Sequence, residues 1–210
     1  MKVEKFRSLY NDLYQAGYHN GNTCHTKDII QRYVLKQLTK GMSVIDVGCS
    51  TGNALNILKV VGYEPTGVDI SEVAVGKCLE RGLDAHVGSA CDIKSKDNMF
   101  DGLTCTDVLE HVPGEMIDKA LIEFSRVVKH DGLLFLKIAK LKEFNRRFHD
   151  IVHNHGFEDL HVTCWPVEKW VDRFNEWEFK TIHFNDRKCD FDIVLQNKIS
   201  TQKLYYFLNR

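Results

Sequence analysis

This chain has almost no excess of charge of either sign. Its 28 Lys and Arg are matched by 29 Asp and Glu, for a formal net charge of −1 at pH 7 and a pI of about 6.8. A phosphate-binding footprint is ordinarily basic, so nothing in the composition asks for a nucleic-acid partner. Long apolar runs are also missing, and no stretch reads as a membrane span. The first residues, Met1-Lys2-Val3-Glu4-Lys5, are charged and carry no apolar signal core. A cytoplasmic protein with no membrane partner is expected. There is no Cys-x-x-Cys, and the cysteines are odd in number, seven. Both facts argue against a disulfide framework and for a reducing compartment. Internal repeats, low-complexity tracts and linkers are absent as well. The 210 residues, 43% of them hydrophobic, therefore read as one domain spanning 1–210 with a sizeable core.

What is present is concentrated in Val44-Ile-Asp-Val-Gly-Cys-Ser-Thr-Gly-Asn53. A β-branched run ends in Asp46, two glycines follow within a short loop, and the apolar pattern Ala54-Leu55-Asn56-Ile57-Leu58 then has helical spacing. This is a buried parallel strand turning into a helix. Gly48 and Gly52 allow a ligand close to the backbone, and Asp46 stands at the carboxyl end of the strand, where open α/β sheets bind ligands. The spacing Asp46-x-Gly48-x-x-x-Gly52 is not Gly-x-Gly-x-x-Gly, and Gly52-Asn53 is not the Gly-Lys of a phosphate loop. An acid beside the turn repels pyrophosphate and suits a ligand with a cationic end.

Three more segments follow in order. Glu64-Pro65-Thr66-Gly67-Val68-Asp69-Ile70-Ser71 is a short strand ending in Asp69, with Ser71 as a helix cap. Ala85 to Ile93 is a strand and loop containing Asp92. Phe100 to Pro113 is a strand whose exit reads Asp107-Val-Leu-Glu110-His111-Val-Pro. Together the four segments, over about residues 42–140, resemble class I S-adenosylmethionine-dependent methyltransferases of the small-molecule type. That resemblance implies a Rossmann-like, doubly wound, mostly parallel seven-stranded sheet with a C-terminal antiparallel hairpin and helices on both faces. It implies S-adenosylmethionine as cofactor, held by Asp46, Gly48, Cys49, Ser50, Gly52 and Asn53 in the first loop. Asp69 with Ile70 would bind the ribose hydroxyls, Asp92 with Ile93 the adenine, and Asp107, at the mouth of the fourth strand, is also expected to contact the cofactor.

The periodicity agrees with α/β alternation. Helices are expected over 3–15, 26–38, 53–61, 71–81, 115–129 and 166–174. Strands are expected to end near Val47, Val68, Val87, Cys105 and Ile138, and two β-rich runs, 178–184 and 191–197, make the hairpin. The tail, 200–210, reads as a short helix or as loose chain. Residues 1–40 are expected to form a helical lid and 141–165 an insertion on the substrate side.

Methyl transfer from a sulfonium is an in-line displacement in which the protein chiefly positions the acceptor, with a general base if that acceptor is a hydroxyl. His161 is the first candidate base and His111 the second. The bland alternatives are a loop anchor for His161 and cofactor packing for His111. Tyr18, His19 and Glu110 are candidate substrate contacts. His149 and His153 have the i, i+4 spacing of a metal pair but lack acid or cysteine partners at a helpful spacing apart from Cys164, so no metal is expected. Trp165, Trp170, Trp177, Phe174 and Phe179 read as core. The expected acceptor is a small molecule, a hydroxyl of a sugar or other metabolite. The alternatives are RNA, a protein, or a non-catalytic cofactor-binding subunit. The Asn/Asp-Pro-Pro-aromatic motif of DNA-base methylation is missing. Of the Lys-Asp-Lys-Glu set of ribose methylation, only Asp107 and Lys137 suggest themselves.

Overall fold

The computed structural model describes residues 2–18, 26–140, 148–199 and Leu204. Its centre is a seven-stranded sheet in the order β3-β2-β1-β4-β5-β7-β6. The strands are β1 (Ser43–Val47), β2 (Glu64–Asp69), β3 (Ala85–Val87), β4 (Phe100–Thr106), β5 (Val128–Ala139), β6 (Phe179–Asp186) and β7 (Asp190–Asn197). The first five pair in parallel, while β7 runs antiparallel to both β5 and β6. Strand order reverses between β1 and β4, which opens a crevice at their carboxyl ends.

Alternation along the strands sends side chains to two different cores. Ile45, Leu134, Leu136, Ile193 and Leu195 face one way, onto α6 (Ile117–Val127) and α8 (Val167–Glu176). Val44, Phe135 and Val194 face the other way, onto α4 (Asn53–Val61) and the helical stretch made of α2 (Thr26–Ile29), a wider π-helical turn over Ile30–Val34, and α3 (Leu35–Gln37). In α6 the buried residues Ile117, Ala120, Leu121, Phe124 and Val127 form a single stripe. Each fully buried Leu, Ile or Phe contributes about 1.5–3 kcal/mol. Trp170, Phe174, Trp177 and Phe179 join the same core, as the sequence suggests.

Several boundaries differ from expectation. The helix expected over 115–129 ends at Val127, because Val128 already pairs with Phe100 of β4. The buried amide of Asn197 donates to the carbonyls of Ser125 and Val128, each at 3.0 Å, and so takes up acceptors that the end of α6 leaves over. The last crossover helix begins after Pro166, whose extended ψ of 153° makes it the cap rather than part of the first turn. The hairpin strands run longer than the apolar runs, leaving only 187–189 between them. Arg187 holds this corner with a two-pronged contact to buried Asp192.

Three further helices complete the site's surroundings. α1 (Lys2–Gln15) packs its Leu9, Leu13 and Tyr14 against Ala74 of α5 (Glu72–Glu80) and against Val152 of α7 (His149–Asn154). The expected tail, 200–210, lies outside the described residues except Leu204.

Candidate active site

The crevice between β1 and β4 holds a cavity whose floor is built by the first loop. Gly48 has φ +78°, and a Cβ there would stand 2.3 Å from Val108 Cγ2. Only glycine lets the β1 loop pass under the β4 exit. The amides of Gly48 and Cys49 donate to the Val68 carbonyl at 2.7 and 3.0 Å. Ser50, itself at φ +52°, donates its amide to Asp69 Oδ2 at 2.8 Å, and Ser71 donates its amide to Oδ1 at 2.9 Å. The loop is thus tied to the end of β2 at each turn of the backbone.

Two carboxylates are buried in this floor. Asp46 is 2% exposed and accepts a 2.6 Å hydrogen bond from the Thr104 hydroxyl. Burial pushes it up to about 7, against the Thr104 bond, with the charge of Asp69 adding to the rise. Asp69 is 5% exposed, and burial raises it to about 6 despite the amides of Ser71 and Ser50. Among the described residues neither acid has an ion-pair partner. Two buried, unneutralised carboxylates in one cavity call for a ligand with a positive group and hydroxyl donors. S-adenosylmethionine has an ammonium, a sulfonium and a ribose diol, so the donor set fits it.

The walls come from four other places. Gly88, Ser89, Ala90 and Cys91 line the cavity after β3, with Thr106, Asp107 and Val108 after β4. Asp107 is held by the Lys137 ammonium at 2.8 Å, and Lys137 also lies 3.5 Å from Asp190. Asp107 and Lys137 are therefore partners of one another. Val3, Phe6, Tyr10, Tyr14 and Tyr18 line the cavity from α1 and the turn after it. That helix is anchored to the cofactor end by Asn11, whose Oδ1 accepts from the Ser71 hydroxyl at 2.8 Å. The phenol of Tyr14 is raised well above its usual range by burial and by the nearby Asp69 charge.

The far end is formed by His111, Val112, Pro113 and Met116. Nδ1 of His111 lies 2.9 Å from the Leu160 carbonyl and 3.0 Å from the Tyr10 hydroxyl. A carbonyl only accepts, so Nδ1 carries the proton and the imidazole lone pair falls on Nε2. The Thr163 amide donates to the Glu110 carbonyl at 2.9 Å, and its hydroxyl donates to the Val112 carbonyl at 2.6 Å. These bonds bring the segment before α8 alongside, and the His161 ring sits edge-on to His111 with centroids 4.7 Å apart.

Of the residues singled out from the sequence, Asp46, Gly48, Cys49, Ser50, Asn53, Asp69, Ile70, Asp107, His111 and Tyr18 line this one cavity. Others do not. A Cβ on Gly52 would meet Leu83 Cδ1 at 2.5 Å, so that glycine serves the packing of α4 against the α5–β3 corner. Asp92 points to solvent and pairs with Lys94 at 2.7 Å. Ile93 is buried in the main core. Ser89, Ala90 and Cys91 take the wall position expected of that pair, because the loop folds back through the Ser89–Asp92 bridge. Glu110 is fully buried, and neither it nor His161, whose ring is edge-on to His111, is among the residues that line the cavity. His19 lies outside the described residues. Val3 and Phe6 were not singled out for the site. The helical spacing of Val3, Phe6, Tyr10 and Tyr14 is the signal that places them on one face.

Comparison with known proteins agrees with this geometry. A family model described as a methyltransferase domain matches residues 45–136. Over 181 residues the chain is 34% identical to a protein of Coxiella burnetii named ubiquinone biosynthesis O-methyltransferase, spanning 77% of this chain and 76% of that one. The chain belongs to the class I S-adenosylmethionine-dependent methyltransferases. Among solved structures, the magnesium protoporphyrin IX methyltransferase of Synechocystis with bound S-adenosylhomocysteine superposes with a TM-score of 0.69 at 16% identity, covering 93% of this chain and 99% of that one. A [4+2]-cyclase superposes with a TM-score of 0.66 at 17% identity, covering 95% of this chain and 94% of that one. That breadth shows that the fold does not decide the acceptor. Among the described residues no helix is long and apolar enough to cross a membrane.

Proposed function

We propose that this protein is an O-methyltransferase acting on a hydroxyl of a small aromatic molecule. The observation that carries the reading is the His111 end of the cavity, where an imidazole with its lone pair on Nε2 stands among Phe6, Tyr10, Val112, Pro113 and Met116. Apolar and aromatic walls suit a flat ring, and the names of relatives such as the Coxiella protein support a ring-borne hydroxyl over a sugar. The near-neutral net charge supports a small acceptor over RNA.

When bound, the cofactor supplies an electrophilic methyl group on a sulfonium sulfur, whose departure as a thioether leaves the acceptor oxygen methylated. Asp46 would hold the cofactor's ammonium and Asp69 its ribose, with Ser89, Ala90 and Cys91 beside the adenine. Helix α1, which lines the cavity with Val3, Phe6, Tyr10 and Tyr14, would close over both ligands and exclude water. The described part of the expected insertion, 148–165, borders the acceptor side through Leu160, His161 and Thr163. His111 takes the hydroxyl proton on Nε2 as the oxygen attacks, and its Nδ1–H bond to Leu160 stabilises the resulting imidazolium. We assign this role to His111 rather than His161 because His111 lines the cavity and His161 does not.

Incubation with methyl-labelled cofactor and a panel of phenols, catechols, sugars and RNA oligonucleotides tests the reading. Label is expected in a phenol or catechol, as a mass gain of one methylene. Label only in sugar or RNA overturns it.

A further inference from the structure

We propose that Glu110, His111 and His161 bind one divalent cation of the zinc or manganese type at the inner wall of the acceptor pocket. The inference rests on the acceptor-side reading above and adds a ligand to it.

Three observations carry it. One donor atom from each of the three side chains lies within 4.8 Å of the others. A cation with bonds of about 2.0–2.2 Å holds neighbouring donors roughly 3–3.5 Å apart, so side-chain movements of about 1 Å assemble the site. Next, Glu110 is 0% exposed. Its Oε1 accepts from the Ala139 amide at 2.9 Å, but its Oε2 is buried with no hydrogen-bond partner among the described residues. A buried oxygen in that condition is costly, and a cation relieves it. Finally, the Nδ1–H of His111 is spent on the Leu160 carbonyl. That is the outer contact by which a metal-bound histidine is commonly oriented, with its other nitrogen toward the ion.

The donors select the ion. Two imidazoles and one carboxylate suit zinc, manganese or ferrous iron, whereas calcium and magnesium prefer all-oxygen sets. Three protein ligands leave coordination positions for water or for the acceptor hydroxyl. In the loaded form the histidines hold the ion instead of receiving a proton. The coordinated hydroxyl is acidified, its proton leaves to water, and the oxygen keeps the electron pair with which it attacks the methyl carbon. This proposal departs from the metal-free site expected from the sequence. The exposed pair His149 and His153 has ring centroids 4.4 Å apart, and Asp150 lies 3.2 Å from His149, but among the described residues no group of three ligands gathers there.

The full-length protein, stripped by dialysis against chelator, is titrated calorimetrically with Zn²⁺ and Mn²⁺, and with Co²⁺ as a visible-absorption probe. One equivalent per chain is expected, with cobalt ligand-field bands. His161→Gln and Glu110→Gln should each weaken uptake at least a hundredfold, while the His149→Ala/His153→Ala double variant retains it. S-adenosylhomocysteine binding serves as the folding control, because its contacts lie at the other end of the cavity. His161→Gln, a half-buried loop position, decides the matter if Glu110→Gln does not fold. Absence of stoichiometric uptake by a wild-type protein that binds S-adenosylhomocysteine overturns the proposal. So does uptake that survives His161→Gln and vanishes in the double variant. Failure to bind S-adenosylhomocysteine at all refutes the methyltransfer reading instead, and the metal titration still judges the cation site.

Discussion

With Asp46 on the cofactor's ammonium as proposed, cofactor affinity should depend on pH, and the size of the effect can be worked from its surroundings. Its carboxyl moves from an ordinary 3.8 to about 7 on burial. One pKa unit is about 1.4 kcal/mol, so carrying the charge in the empty fold costs roughly 4 kcal/mol. Below about pH 4 the folded and unfolded chains both hold the proton and the cost is absent. As pH rises the unfolded chain loses its proton first, so the apo-protein loses stability until pH passes about 7 and is level thereafter. Cofactor binding runs in the opposite direction. Only the ionised carboxylate pairs strongly with an ammonium, so affinity should climb about a hundredfold between pH 5 and pH 8 and level off above. Asp46→Asn keeps the shape and the Thr104 contact but removes the titration. Its affinity at pH 8 should fall to about the wild-type value at pH 5, while its apo-form becomes more stable than wild type at pH 8. Calorimetry at four pH values, in buffers of different ionisation enthalpy, counts the protons released. If wild type and Asp46→Asn show the same pH curve, Asp46 does not hold the ammonium and the argument fails.

Asp69→Ala should weaken cofactor binding by about 1.5–3 kcal/mol through loss of a charge-assisted acceptor; unchanged calorimetric affinity would remove Asp69 from the ribose site. Gly48→Ala places a methyl 2.3 Å from Val108 at a φ of +78°. It is expected to cost about 1–3 kcal/mol in urea unfolding and to abolish cofactor binding, and wild-type behaviour on both counts would contradict the close approach. His111→Ala should lower turnover by about 10²–10⁴-fold with cofactor affinity kept. His161→Ala acts through His111 or a shared ion and should lower turnover less in the absence of metal; equal losses under chelation would place both rings on the acceptor. Trp170→Ala, at a fully buried position, should cost about 3–5 kcal/mol of stability, read as a shift of the denaturation midpoint.

The alternation of β-branched runs with helical patterns was legible because each carries its own period, and strand ends came with acids and glycines attached. Val44 to Val47, Asp46, Gly48 and Asp69 needed no tertiary information, since a buried strand turning into a helix at a glycine leaves few backbone paths. Boundaries were less legible where the deciding contact is remote. The amide of Asn197 meets α6 from 70 positions away, and nothing near Val127 announces it. Asp92 shows the same limit: an acid in a loop looks like a ligand until the fold-back through Ser89 turns it to solvent.

By itself, then, the sequence determined the class of fold and which segments, around Asp46 to Asn53 and Asp69, line the cavity at the β1 and β2 ends, because both are made of short segments whose spacing is their geometry. Only the tertiary structure decided the acceptor end. Tyr10, Glu110, His111 and His161 come from three separate stretches, and what joins them is Tyr10 and the Leu160 carbonyl on one imidazole and the Thr163 amide on the Glu110 carbonyl. Hydrogen bonds between distant stretches depend on how whole elements pack, and no local pattern of residue types encodes that.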